Sequence, residues 1–194
     1  MRGISDTVVS MSEAIDHLSG CISFREYLDG EAFAEERHEY VDGKVFAMAG
    51  ASEGHEIVAG SLFASMFMHL KGSPCRAFKG DMKLKVNVQR RELGYYPDIM
   101  VTCDPADDHS LFKEKPKVIV EVMSDYKKDH LEKLFAYQQI PTLEQYLVVS
   151  QDPAEKKAWL YQRRNDWQQE EGAPDGIITL SSLNFSIGLA ELYV

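Results

Sequence analysis

The segment KVIVEVMS at 117–124 constrains this chain more than any other. Its β-branched residues form a short apolar run between Pro116 and the polar stretch that begins SDYKKD. Such a run reads as a central strand covered on both faces. One carboxylate, Glu121, interrupts it. A charge there is costly unless it is paired, hydrogen-bonded or bound to a metal. A second apolar strand lies upstream in YYPDIMVTCD, with Asp98 directly after Pro97. Two acids on two apolar strands point to a metal site in a hydrolase. The competing reading is that each carboxylate caps or pairs locally.

The other elements follow from local signals. Asp42-Gly43 marks a hairpin between strands at 39–41 and 44–48. A short helix ending near Gly30 precedes it. Ser52 is an N-cap for a helix whose stripe is Val58, Leu62, Met66 and Leu70, with Gly72 as its stop. Residues Met82, Leu84 and Val86 alternate with Asp81, Lys83 and Lys85 as on a strand, and NVQRRELGYY reads as a polar loop. Strands at 96–103 and 117–124, a helix over roughly 128–139 ended by Pro141, and further strands complete the chain. The fold class is mixed α/β, with successive antiparallel strands and one helical crossover to a parallel neighbour.

At 194 residues the chain fits one domain, read here as an extension over 1–21 and a single domain over 22–194. No stretch is long and apolar enough for a membrane helix, and the first residues lack the apolar segment of a secretory signal. Cys21, Cys75 and Cys103 are an odd count with no C-x-x-C pair. They are expected as reduced thiols of a cytoplasmic protein. The net charge of −10 argues against non-specific coating of DNA but allows a local basic groove. There is no HExxH, zinc-ligand spacing, P-loop or GxSxG, so zinc protease, NTPase and serine hydrolase chemistry lack support.

Alternation on the central strand puts Glu121 on one face with Ile119 and Met123, and Asp98 with Met100 and Thr102. If the strands pair, the two carboxylates converge. Oxygen ligands of this kind suit Mg²⁺ or Mn²⁺.

The order of elements, with PD on one strand and E-V on the next, resembles the PD-(D/E)xK, restriction-endonuclease-like superfamily. More closely, the chain is similar to a large bacterial group of restriction-endonuclease-like proteins. The similarity is carried by REYLDGE (25–31), ERHEYVDGKVFAMAGAS (36–52), His55, GSPCRAFKGDMKLKV (72–86), YYPDIMVTCD (95–104), PKVIVEVMS (116–124), DHLEKLFAYQQIPTLEQYLVVSQD (129–152) and the ending LAELYV.

The resemblance implies a restriction-endonuclease-like core, a central mixed sheet flanked by helices. It also implies Mg²⁺-dependent hydrolysis of DNA, with Asp98, Glu121 and the backbone carbonyl of Val122 as metal oxygens. A homodimer would suit cutting both strands of a duplex. The usual lysine two residues after the glutamate is here Met123. Lys133, in the D-x-x-x-K pattern with Asp129, is the expected substitute, and Lys83 the alternative. On a helical wheel Lys133 lies away from Leu131 and Phe135, which would leave it in solvent, but Tyr137 and Ile140 share its side, so that face can also meet the protein. The turn after Glu121 is about two residues shorter than the family's usual form, which carries a Ser-Thr pair. Glu39 and His55 match recurring positions. Glu39 reads either as a surface acid beside the hairpin or as an outer ligand or water-orienting group. His55 reads as a hydrogen-bonded packing residue or as an anion-facing group at a helix N-terminus. The rival function is a nuclease-fold module that binds nucleic acid or a protein without turnover.

Overall fold

The computed structural model describes residues 21–123, 129–173 and 175–193. The extension over 1–20 and most of the SDYKKD turn lie outside the described residues. The central sheet has six strands. Its middle members are β6 (Ile99–Thr102), β8 (Pro116–Met123) and β9 (Gln145–Ser150). β3 (Arg76–Lys79) flanks β6 at one edge; β10 (Ala158–Gln162) and β11 (Gln169–Glu171) extend the other. Only β8 and β9 are parallel among these pairs. The chain between them carries a helix, Asp129–Tyr137 (α3), as a parallel connection requires.

A second sheet runs β2-β1-β5-β4-β7, with β7 at Phe112–Lys113, and the short helix Phe24–Glu31 (α1) packs against it. It contains the hairpin of β1 (His38–Val41) and β2 (Lys44–Ala47), whose turn holds Asp42 and Gly43 at φ 51° and 91°. The stretch read as a polar loop is instead the tight hairpin of β4 (Lys83–Val88) and β5 (Arg91–Tyr95). Its strand character was hidden because one edge of β5 is charged, whereas Leu93, Gly94 and Tyr95 are buried. β3 and β4 follow each other in the chain but belong to different sheets.

Alternation on β8 sorts the core. Val118, Val120 and Val122 meet Val58, Ala59, Leu62 and Met66 of the long helix Glu53–His69 (α2), together with C-terminal Ile178, Leu180 and Leu192. Ile119 points the other way, toward Leu84, Val86 and Tyr95 of the second sheet and Ala136 and Tyr137 of α3. The central strand is therefore covered on both faces, as its composition requires. No helix among the described residues is long and apolar enough to cross a membrane.

Two expectations are corrected. Cys75 and Cys103 form a disulfide; only Cys21 is free. They flank the paired residues Arg76 and Thr102, so the β3–β6 register brings them side by side, although 28 positions separate them in sequence. Closing a loop of that size contributes about 2–4 kcal/mol. Cys75→Ser is expected to lower the urea midpoint accordingly, and dithiothreitol should then have no further effect; an unchanged midpoint would contradict this.

The second correction is α3, whose buried side is the one that Lys133 shares with Tyr137 and Ile140, not the one carrying Leu131 and Phe135. Leu131 and Phe135 are 56% and 59% exposed, while the Lys133 side chain is only 15% exposed. Ala136, Tyr137 and Ile140 supply the buried face instead. The reason is electrostatic: the lysine is directed at a buried acid.

Candidate active site

The site begins with register. Ile99 stands opposite Val120, so Asp98, one step earlier, is level with Glu121. Asp98 Oδ2 accepts a hydrogen bond from the Val122 N–H at 2.7 Å, and the Asp98 carbonyl accepts from Gly80 N–H. The carboxylate is thus tied to the strand that carries Glu121. α2 delivers the next group. The Ser52 hydroxyl caps its N-terminus, accepting from His55 N–H and donating to Gln151 Oε1. This places His55 in the first turn, with Nε2 3.1 Å from Asp98 Oδ2. The bond to Asp98 raises the His55 pKa against the opposing effect of burial. Nδ1 is buried without a hydrogen-bond partner; the Glu56 carboxylate stands 3.6 Å away. His55 is therefore a hydrogen-bonded residue of the first turn, and the group it holds is Asp98.

Glu121 is 4% exposed. Its Oε1 accepts from the Tyr137 hydroxyl at 2.8 Å and lies 3.4 Å from Lys133 Nζ. Lys133 Nζ also lies 3.1 Å from Glu39 Oε1 and 5.9 Å from the centre of the Tyr95 ring. Burial pushes the Glu121 carboxyl up to about 7, with Lys133 opposing and Asp98 reinforcing. Burial also acts to lower the Lys133 pKa, but Glu121 and then Glu39 outweigh it and keep the amine cationic. Tyr137 was not singled out as a site residue. Its signal was available, because it follows Lys133 by four positions and shares its helical face.

A stability prediction follows for the metal-free protein. The unfolded Glu121 carboxyl titrates near its ordinary 4.5, whereas the folded one titrates near 7. The folded state binds the extra proton between these values, so stability falls as pH rises through that window, by on the order of a few kcal/mol. Lys133 is charged throughout the window and contributes no slope. In EDTA, urea midpoints from pH 4.5 to 7.5 should decline more steeply for wild type than for Glu121→Gln. Equal slopes would remove Glu121 as the source.

Asp98, Glu121, His55 and Lys133 line one cavity of about 330 Å³, together with Tyr96, Val122, Met123 and Gln151. Each of its two acids has one committed oxygen. These are Asp98 Oδ2, bound by the Val122 N–H, and Glu121 Oε1, bound by the Tyr137 hydroxyl. Among the described residues, no group of three or more His, Cys, Asp or Glu side chains is gathered to hold a metal. A cation here would therefore rely on two carboxylates, backbone oxygen and water. That donor set suits Mg²⁺, which keeps several waters, and not Zn²⁺.

The remaining expected residues separate. Lys83 lies outside this cavity, its Nζ 5.0 Å from the centre of the Tyr96 ring, and burial lowers its pKa. Asp81 is exposed and pairs with Arg37 at 3.5 Å, so it belongs to the surface. The Asp129 side chain lies outside the described residues. The Tyr96 hydroxyl donates to Glu31, which also meets His38 Nδ1 at 2.7 Å. This network holds one wall of the cavity, and sequence reading did not anticipate it.

A mixed sheet carrying an Asp and a Glu at the ends of adjacent strands, with a helix-borne lysine beside them, defines a restriction-endonuclease-like protein. The chain belongs to the Uma2 family, described as putative restriction endonuclease, whose model matches residues 24–191. It is 32% identical over 176 residues to the uncharacterized protein slr1290 of Synechocystis sp., covering 89% of this chain and 91% of that one. A second Synechocystis protein, sll1609, is 30% identical over 131 residues, covering 65% of this chain and 73% of that one. The fold also matches the crystal structure of a putative nuclease belonging to DUF820 from Anabaena variabilis. The TM-score is 0.64 at 16% identity, covering 86% of this chain and 96% of that chain. The family is nuclease-like.

Proposed function

We propose that this protein is a divalent-metal-dependent endonuclease that hydrolyses DNA phosphodiester bonds. The observation that carries this reading is the Asp98–Glu121 pair with the Lys133 amine 3.4 Å from Glu121 Oε1. Asp98, Glu121 and the Val122 carbonyl would hold Mg²⁺ or Mn²⁺. When bound, such an ion activates water and stabilises charge on the phosphate.

The protein's own residues do the rest. His55 and the Val122 N–H orient Asp98, and Tyr137 orients Glu121. Lys133 stays protonated, so it is not a general base. It donates hydrogen bonds to the attacking water or to the phosphate oxygen that gains charge. Met123, at the position of the usual lysine, lines the cavity as an apolar wall. Binding the ion requires ionised Glu121, so metal affinity rises with pH as this carboxyl loses its proton. A second copy related by a two-fold axis would place two such sites on one duplex.

The test is incubation of purified protein with supercoiled plasmid in Mg²⁺ or Mn²⁺, with Asp98→Ala in parallel. Nicking or linearisation by wild type alone supports the proposal. Inactivity in both metals, with no thermal stabilisation by either, supports the rival module that binds without turnover.

A further inference from the structure

We infer that Glu39 is the positioning residue for Lys133, which makes the N-terminal hairpin part of the active site. The inference rests on the nuclease reading for its functional meaning, but its geometry stands independently. Lysine carries a compact charge on a flexible four-carbon stem, and its three donors do not orient themselves. Lys133 approaches from α3, not from the strand that carries Glu121, so a fixed acceptor has to set where its amine rests.

Glu39 is that acceptor. It lies nearer to the amine than Glu121 does, 3.1 against 3.4 Å. Glu121 Oε1 is already shared with the Tyr137 hydroxyl. Glu39 is carried on a strand paired on both sides. Its neighbours Tyr40 and Val41 pair with Gly94 and Leu93 of β5, and Glu39 itself pairs with Phe46 of β2. The Tyr40 side chain packs inward against Phe24 and Tyr27, which sends Glu39 and Val41 to the opposite face. That face borders a second cavity of about 330 Å³, lined by Glu39, Val41, Phe46, Tyr95, Glu132 and Lys133.

Lys133 thus stands between two cavities, with Asp98 and Glu121 in one and Glu39 in the other. This arrangement argues against Glu39 as an outer metal ligand or a water-orienting group. Its contact toward the reacting centre is the lysine amine, 3.1 Å away. The division of labour is also sound physically. A lysine held by Glu121 alone would lose its anchor whenever that carboxylate turned to a cation; Glu39 retains it.

The experiment compares Glu39→Gln, which keeps the shape, with Glu39→Asp, which keeps the charge. In metal-free protein, Lys133 acetylation by N-hydroxysuccinimidyl acetate is followed by peptide mass spectrometry, with exposed Lys157 as internal reference. Labelling of Lys133 relative to Lys157 should rise several-fold in Glu39→Gln and return toward wild type in Glu39→Asp. In plasmid cleavage, Glu39→Gln should lower kcat about 10–100-fold with KM and the half-saturating metal concentration unchanged, and Glu39→Asp should recover part of the loss. Unchanged Lys133 labelling in Glu39→Gln would overturn the inference, as would a loss confined to metal affinity. If wild type cleaves nothing, the nuclease reading fails, and the labelling arm still decides whether Glu39 holds Lys133.

Discussion

Lys133→Met should abolish cleavage, lowering single-turnover rates at saturating metal by about 10²–10³-fold. The variant keeps a side chain of similar length but removes the amine that lies 3.4 Å from Glu121 Oε1. Lys83 cannot replace it, because that amine lies over Tyr96 outside the cavity. The same substitution should destabilise the metal-free fold. Removing one partner of a buried ion pair costs about 3–5 kcal/mol when the other stays charged. Here the cost is smaller at low pH, because Glu121 can take up a proton, and largest above pH 7. Urea denaturation at pH 5 and pH 8 measures the difference. Wild-type cleavage rates in Lys133→Met would sink the assignment of Lys133. Arginine is not expected to rescue the rate. Its planar fork is wider than an ammonium and has to fit between two carboxylates.

The second large effect concerns metal. A site binding only the folded state stabilises it by about 2.7 kcal/mol at a hundredfold excess over Kd. For a chain of this size that is roughly 5–10 °C in Tm. Wild type should show such a shift with Mn²⁺ or Mg²⁺, and Asp98→Asn should show none. The shift should also shrink as pH falls below about 7, since Glu121 then keeps its proton. His55→Ala should retain a shift but require about 10–100-fold more metal, because only the orientation of Asp98 is loosened. An Asp98→Asn protein that shifts as far as wild type would place the metal elsewhere.

The elements near the site differ in how openly their residues declare them. β8 was legible because an apolar run with one acid admits few alternatives. The first hairpin was legible from Asp42-Gly43, whose left-handed backbone angles are what that dipeptide favours. α2 was legible from its cap and stripe. β5 was not, because a short hairpin strand with one charged end looks like a loop until its partner is known. The disulfide was not, because only the β3–β6 register brings Cys75 to Cys103.

The candidate site divides in the same way. Sequence by itself determined that Asp98 adjoins one apolar strand, that Glu121 sits on another and that Lys133 is available on the following helix; the family resemblance added that Met123 stands where a lysine is usual. Tertiary structure decided how these groups meet. The β6–β8 register sets Asp98 level with Glu121, and α2 brings His55 to Asp98. Local periodicity left Lys133 between solvent and a face shared with Tyr137 and Ile140; the fold buries that face and exposes Leu131 and Phe135. Helical periodicity records hydrophobicity along one element. It cannot register two acids, Glu39 and Glu121, that arrive from separate sheets and are stabilised only when a cation lies between them.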